Sequence, residues 1–389
     1  MKILFLASWY PSREHPISGI FVKRHAMAVA RYCDVAVLYV NLGDVDDGKE
    51  VTKGDGIIEV RIYKKATRHE NKWMKCLYDH VGIYMEYIQA GLNGYKTIEE
   101  EFGKPELAHV NVINFAGLIG LALKLWKGIP YIITEHWAGY FKADGGFEGR
   151  TRIGKYFIKT IGKNAAAIIT VSGKLRDAMK ACGIENKFFV IPNVVDIADC
   201  PEHLSCSKDK KIMIHISLLK DSVKNVSGII EAVRLLFQKR DDFELHLIGD
   251  GNDRKKLEDM AKNYGLLDKV VFFLGMVDAN EVAKLIYCSD FSIVNSNFET
   301  FSVSAAESLA CGKPIITTRC GGPEEFVDDR CGLLVERGDV EGLAGAIEYM
   351  LDNCSKYNSI EIAQYASSRF SSDIVGKEIY DIYRKVLIL

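Results

Sequence analysis

Glu299 and Glu307 stand with seven residues between them in a run of small and polar side chains, and their positions suit different chemistry. Phe291, Ile293 and Val294 predict a short buried strand, Asn295-Ser296-Asn297 a polar turn, and the segment from about Phe301 to Ala310 a small-residue helix. Glu299 therefore precedes a helix N-terminus, where free backbone N–H groups and the positive end of the dipole hold anionic oxygens such as those of a phosphate. Glu307 lies on the helix among Ser302, Ser304, Ala305 and Ala306, where a carboxylate accepts two hydrogen bonds from a vicinal diol such as ribose. A capping glutamate and a solvated helix glutamate fit the same spacing. Gly312-Lys313-Pro314 ends the helix, Ile315 to Thr318 reads as the next strand, and Gly321-Gly322-Pro323-Glu324-Glu325 forms a second glycine turn opening a helix. Two turns then face one cleft.

The ordered set resembles the signature of the family-4 glycosyltransferases: Glu299 and Glu307, then Ala310-Cys311-Gly312-Lys313-Pro314, the Gly321-Gly322 turn with its Pro-Glu-Glu, and GLLVERGD ending at Asp339. The resemblance runs through nearly the whole chain. It implies an α/β chain of the GT-B fold, with two doubly wound Rossmann-like domains facing a central cleft. It also implies retaining, metal-independent transfer of a hexosyl group from a nucleotide-diphosphate sugar, UDP- or GDP-linked, to a glycan or lipid-linked acceptor in surface polysaccharide or glycoconjugate biosynthesis. The nucleotide sugar enters as substrate, and no cofactor is expected.

Positioning such residues takes a frame of two domains, and 389 residues exceed one ordinary domain. A formal net charge of −2 offers no global attraction to nucleic acid, so any electrostatic partner is local. Ten cysteines without a CxxC pair argue against a zinc site or a disulfide framework and fit a reducing cytosol. The apolar stretch from Ile113 to Ile133 is broken by Lys124, Lys127 and Gly128-Ile129-Pro130, so no segment is expected to span a membrane.

In the first domain, 1–195, Ile3 to Ala7 reads as a strand, Ser8 to Gly19 as a long loop, and Ile20 to Arg31 as a helix. Gly19 lets backbone approach a phosphate or sugar closely, or merely permits the turn. Val35 to Val40, Ile57 to Tyr63 and Leu107 to Val110 are further strands, with a long helical region from about Lys72 to Glu101. Tyr131 to Thr134 is a strand delivering Glu135-His136-Trp137 to its end, where doubly wound domains place ligands. A lone histidine is more often structural, but the family has a histidine in the matching T.H element beside the donor sugar, and that role carries to His136.

The segment 196–211 loses apolar periodicity and reads as a linker. From Ile212 to about residue 370 alternating strands and helices resume as a donor domain, including Leu245 to Ile248, the turn Gly249-Asp250-Gly251, and Val270 to Leu274 ending at Gly275, which the resemblance sets near the base. After Ser217 the family has an arginine and then a lysine near the donor diphosphate. Lys224 matches the lysine, Leu218 stands where the arginine is expected, and Lys220 is the nearby cation that could replace it, without the planar fork. Backbone N–H groups beside Glu299-Thr300-Phe301, with Ser302 and Lys224, would stabilise the leaving diphosphate. The last helix, 371–389, shows an apolar face of Ile374, Ile379, Ile382, Tyr383 and Val386, and in the family it packs back on the first domain.

Arg61 to Lys75 holds six Lys or Arg against one Glu, with Tyr63, Trp73 and Met74 among them, and so is expected to touch an anionic membrane. That agrees with a cytoplasmic protein peripheral to the inner membrane face; a solvated surface gives the same pattern. A nucleotide-sugar epimerase of the same fold and a non-catalytic nucleotide-sugar sensor are the alternative functions. A dinucleotide dehydrogenase is disfavoured because no G-x-G-x-x-G follows the first strand.

Overall fold

The computed structural model describes residues 1–67, 82–196 and 209–388. The chain divides into two compact units, Met1–Val194 with Ser372–Leu389, and Val195–Ser371. Most of the expected linker and the start of the helix expected from Lys72 lie outside the described residues.

The first unit is built on β1 (Lys2–Ala7), β2 (Asp34–Gly43), β3 (Gly48–Gly54), β4 (Ile57–Lys65), β5 (Leu107–Asn111), β6 (Tyr131–Glu135), β7 (Ile168–Thr170) and β8 (Phe188–Val190). They lie side by side as β3-β4-β2-β1-β5-β6-β7-β8. Every neighbouring pair is parallel except β3 with β4. Sheet residues such as Ile3, Phe5, Val35 and Val37 are buried, as near-continuous apolar runs in a parallel sheet require. Hydrophobic periodicity does not reveal β3, GKEVTKG, which is mostly exposed. Its signal is Asp55-Gly56: both residues have positive φ, 54° and 75°, as a two-residue hairpin turn demands.

The second unit contains β9 (Lys211–Ile216), β10 (Phe243–Ile248), β11 (Val271–Gly275), β12 (Phe291–Val294), β13 (Ile315–Thr318) and β14 (Gly332–Val335), ordered β11-β10-β9-β12-β13-β14 and all parallel. This is the doubly wound order, with its reversal between β9 and β12; in the first unit the reversal falls between β1 and β5. Chains leave such neighbouring strands in opposite directions, and a crevice opens beyond their carboxyl ends.

Four helices of the first unit matter below: α1 (Ile20–Ala30), α2 (Ile83–Glu101), α3 (Asn114–Lys127) and α4 (Arg152–Asn164). The carboxyl-terminal helix, Ser372–Ile388, packs against α1, close enough that a Cβ on Gly376 would stand 2.4 Å from the Ala28 carbonyl oxygen. Its buried face is Val375, Ile379, Ile382 and Tyr383, whereas Ile374 is exposed. One helical step separates that pair, and the docking angle against α1 decides which is buried.

Further expectations change. The helix after Glu299 begins at Val303, because Ser302 takes a left-handed φ of 69°. The Gly321 turn opens only one 3-10 turn, Gly322–Glu325. Arg61, Tyr63 and Lys64 lie in β4 and are used internally: Arg61 pairs with Glu59 at 3.0 Å, Lys64 with Asp47 at 2.6 Å, and Tyr63 is buried. Arg61 and Tyr63 are therefore withdrawn from any lipid surface, whereas the Lys64–Asp47 pair is exposed, and residues 68–75 of that stretch lie outside the described ones. Among the described cysteines six are free and Cys288 is disulfide-bonded, a bridge not foreseen in the reading against a disulfide framework. Spacing along the chain does not show which sulfurs meet in space.

Candidate functional site

The second unit gathers most of the expected residues at one sheet edge because its strands are parallel and all their carboxyl ends point the same way. After β9, Ser217 to Lys220 alternates outward and inward. Leu219 is buried, while Leu218 (61% exposed) and Lys220 face out. Lys220 precedes a single helical turn, Asp221–Lys224, which ends at Asn225 in the left-handed region. The polar turn after β12 clamps that turn. Asn295 Nδ2 donates to the Asn225 carbonyl at 2.9 Å, the Asn297 N–H to the Val223 carbonyl at 2.8 Å, and Asn297 Nδ2 to the Ser222 carbonyl at 3.0 Å.

So held, Lys224 Nζ lies 2.5 Å from Glu299 Oε1, and Ser296 Oγ donates to the same oxygen at 2.7 Å. The Glu299 side chain is 12% and that of Lys224 24% exposed, so the pair is screened only in part and is stronger than a surface salt bridge. Lys224 and Glu299, read from sequence as separate neighbours of a donor, thus form one unit across 75 residues.

Glu299 is also zipped to the second glycine turn: its N–H donates to the Cys320 carbonyl at 2.8 Å, and Gly322 N–H to the Glu299 carbonyl at 2.9 Å. Thr300, Phe301 and Ser302 follow. The Phe301 ring is fixed among Phe326 and Phe370, and Ser302 presents a buried hydroxyl with no hydrogen-bond partner among the described residues. The helix Val303–Ala310 carries Glu307 on its half-buried face with Val303 and Ser304, opposite the buried Ala305, Ala306, Ser308 and Leu309.

Behind this turn His215 fixes Ser217. Its Nδ1 reaches the Ile293 carbonyl at 2.8 Å and its Nε2 lies 2.7 Å from Ser217 Oγ. A carbonyl only accepts, so Nδ1 carries the proton and Nε2 accepts from the serine. Burial pushes this imidazole down to about 4, so it is neutral at neutral pH. Gly249, φ 125°, lies under the same loop, where a Cβ would stand 1.9 Å from the Ser217 carbonyl oxygen, and its N–H donates to Gly275 at the end of β11. Arg337, to which sequence reading gave no part, donates to the Asn297 carbonyl at 3.0 Å.

Gly19 and His136 belong to the first unit. Gly19, φ 66°, precedes α1, and a Cβ there would stand 2.3 Å from the Trp9 carbonyl oxygen, so its immediate work is to let α1 close on the loop after β1. His136 follows β6. Its ring lies 4.4 Å from that of Phe21 and 5.4 Å from that of His25. Burial chiefly, with His25 and His109, holds its imidazole well below the usual range. Asn193 faces the ring and offsets part of this, yet neither ring nitrogen makes a hydrogen bond of acceptable geometry among the described residues.

The residue that sets His136 in place is Glu135. Its fully buried carboxylate accepts from the His136 and Trp137 N–H groups, both at 2.9 Å, from the Ile113 N–H at 3.1 Å and from the Tyr140 hydroxyl at 3.2 Å. Burial raises the Glu135 carboxyl and these bonds oppose the shift; four donors turned toward it favour the carboxylate. It ties the end of β6 to the turn after β5, where Val112 holds a positive φ of 67°, a genuine outlier for a β-branched residue. Among the described residues no three His, Cys, Asp or Glu side chains gather as a metal-binding set.

The family described as glycosyl transferases group 1 matches residues 196–366, and the family described as glycosyltransferase family 4 matches residues 82–199. An uncharacterised glycosyltransferase of Methanocaldococcus jannaschii is 29% identical over 302 residues, which cover 76% of this chain and 81% of that one. The fold is that of the sucrose-phosphate synthase from Thermosynechococcus elongatus, with a TM-score of 0.80 at 19% identity over 100% of both chains. Anabaena HepE, solved with UDP, has a TM-score of 0.73 at 20% identity, covering 99% of this chain and 100% of that one. With both units matched and both sheets doubly wound, the chain belongs to the family-4, group 1 glycosyltransferases and has the GT-B fold.

Proposed function

We propose that the chain moves a hexosyl group, with retention at the anomeric carbon, from a UDP- or GDP-linked sugar to a glycan or lipid-linked acceptor of surface polysaccharide or glycoconjugate assembly. A cytoplasmic location, peripheral to the inner membrane face, goes with that acceptor class. The observation that carries the reading is Lys224, held by Glu299, whose Oε1 also accepts from Ser296, at the switch point of the second unit, beside a helix N-terminus. A solved chain of the same fold binds UDP. On donor binding the Lys224 ammonium and the N–H groups around Thr300 to Ser302 meet the diphosphate, and charge developing on the leaving oxygen is stabilised by groups already in place. Glu299 Oε1 is engaged by two donors, which makes that carboxylate a poor nucleophile. The acceptor oxygen therefore attacks from the face the diphosphate leaves, and its proton passes to the departing phosphate oxygen. The ring nitrogens of His136, without a partner of good geometry among the described residues, suit a sugar hydroxyl.

The experiment is incubation with a panel of nucleotide sugars, with and without acceptor extracts, following released nucleotide and new glycoside. Turnover is expected to persist in excess EDTA, because Lys224 and the helix terminus neutralise the charge a magnesium ion neutralises elsewhere. Loss restored by a divalent ion would put a metal in the step. Tight binding without release would instead indicate a sensor, and a free epimerised sugar an epimerase.

Glu307→Ala should weaken donor affinity by about 1–3 kcal/mol for the charged hydrogen bonds to ribose that it removes. Calorimetry with the nucleoside diphosphate reads this directly, and an unchanged affinity in the folded variant would take Glu307 out of the site.

A further inference from the structure

The helix α4, RIGKYFIKTIGKN, buries Gly154, Ile158, Ile161 and Gly162. The rest of its circumference is unlike an ordinary solvated face. Ile153 and Tyr156 are 58% and 67% exposed, Phe157 is also exposed, and the exposed Arg152, Lys159 and Lys163 run beside them with no acidic residue in the helix, while Lys155 pairs with Glu148 at 3.4 Å. The apolar strip continues onto α2, where the Tyr84 ring lies 6.2 Å from that of Phe157 and the adjoining Met85 is exposed. Helices that cross over between parallel strands begin at the strands' carboxyl ends, so the first turns of α4, with Ile153 and Tyr156, lie toward the sheet edge that bears His136, and Lys159 and Lys163 run back from it.

We infer that α4, with the start of α2, is the surface by which this unit rests on an anionic lipid bilayer. Aromatic and aliphatic tips enter the headgroup boundary while a row of cations meets anionic headgroups. A second copy of the chain would cover the apolar strip only by setting one row of cations against another. The surface deepens the acceptor class proposed above, placing a lipid-linked acceptor beside His136, and it is a different surface from that of Arg61 and Tyr63, which are spent within the sheet.

The whole chain is sedimented with vesicles of phosphatidylcholine alone and of phosphatidylcholine with phosphatidylglycerol. Binding is expected to the anionic vesicles at low salt, weakening as salt rises. Changing Arg152, Lys159 and Lys163 together to Gln should lower the partition coefficient on the order of 100-fold, and Ile153→Ser with Tyr156→Ser should remove the binding that survives salt. Donor hydrolysis without acceptor, measured in the same variants, stays at the parent level, so a failed surface is told apart from a failed catalyst. The inference is overturned by equal binding to both vesicle types, by none at low salt, by binding that survives both sets of changes, or by self-association that the Ser variants abolish while vesicle binding is absent.

Discussion

Lys224→Ala is expected to lower turnover roughly 10²- to 10³-fold, the loss seen when one preorganised charge-stabilising donor is removed. Lys220→Ala should cost far less, because Lys220 is exposed at the start of the turn, whereas Lys224 is fixed by Glu299 and by the Asn295 and Asn297 clamp. Glu299→Gln tests the other half of the pair: it frees the ammonium but removes its anchor. The double variant should therefore lose less than the sum of the two single losses, as coupled neighbours do. Steady-state kinetics on folded variants decides the matter. A larger loss at Lys220 would mean that the exposed lysine contacts the diphosphate and that Lys224 is structural.

The second large effect is expected at His136. His136→Ala should depress turnover roughly 10²-fold while hardly changing nucleotide affinity, since His136 belongs to the first unit and the groups proposed to hold the nucleotide belong to the second. Equal losses in both quantities would assign it to structure. Glu135→Gln should reproduce much of the turnover loss by a different route. The amide turns an N–H toward groups that themselves donate, so the loop from His136 to Tyr140 shifts although the imidazole is intact. His136 is buried and neutral, so its own titration should leave turnover flat from neutral to mildly acidic pH. If Glu135→Gln keeps full turnover and loses only thermal stability, the carboxylate merely holds the fold.

Much of the frame is legible without coordinates. The alternation of short apolar runs with helical periods predicts a parallel sheet in each half, and its strands fall at β1, β2, β4, β5, β6 and β9 to β13. Ser172 shows how local the information is: its side chain caps the helix after β7 through the Leu175 N–H at 3.2 Å, because capping depends on residues three apart. The edge strand β3 is a harder case. A charged, glycine-rich sequence carries no core-facing period, and only the Asp55-Gly56 turn betrays it.

The amino-acid sequence by itself determined which segments become strands and helices, and it put Lys224, Glu299, Glu307 and His136 at strand ends or on the helix that follows one. Residue type and period act over a few positions, and strand ends follow from them. Tertiary structure alone decided the partners. It joined Lys224 to Glu299, four donors to Glu135, and Val375 rather than Ile374 to the core of the first unit. It also drew Arg61 and Tyr63 into the sheet while leaving Ile153 and Tyr156 on a surface. A cation or an aromatic ring has the same chemistry in every setting, and whether it faces an acid, a core or a bilayer depends on elements far away in the chain that no local period encodes.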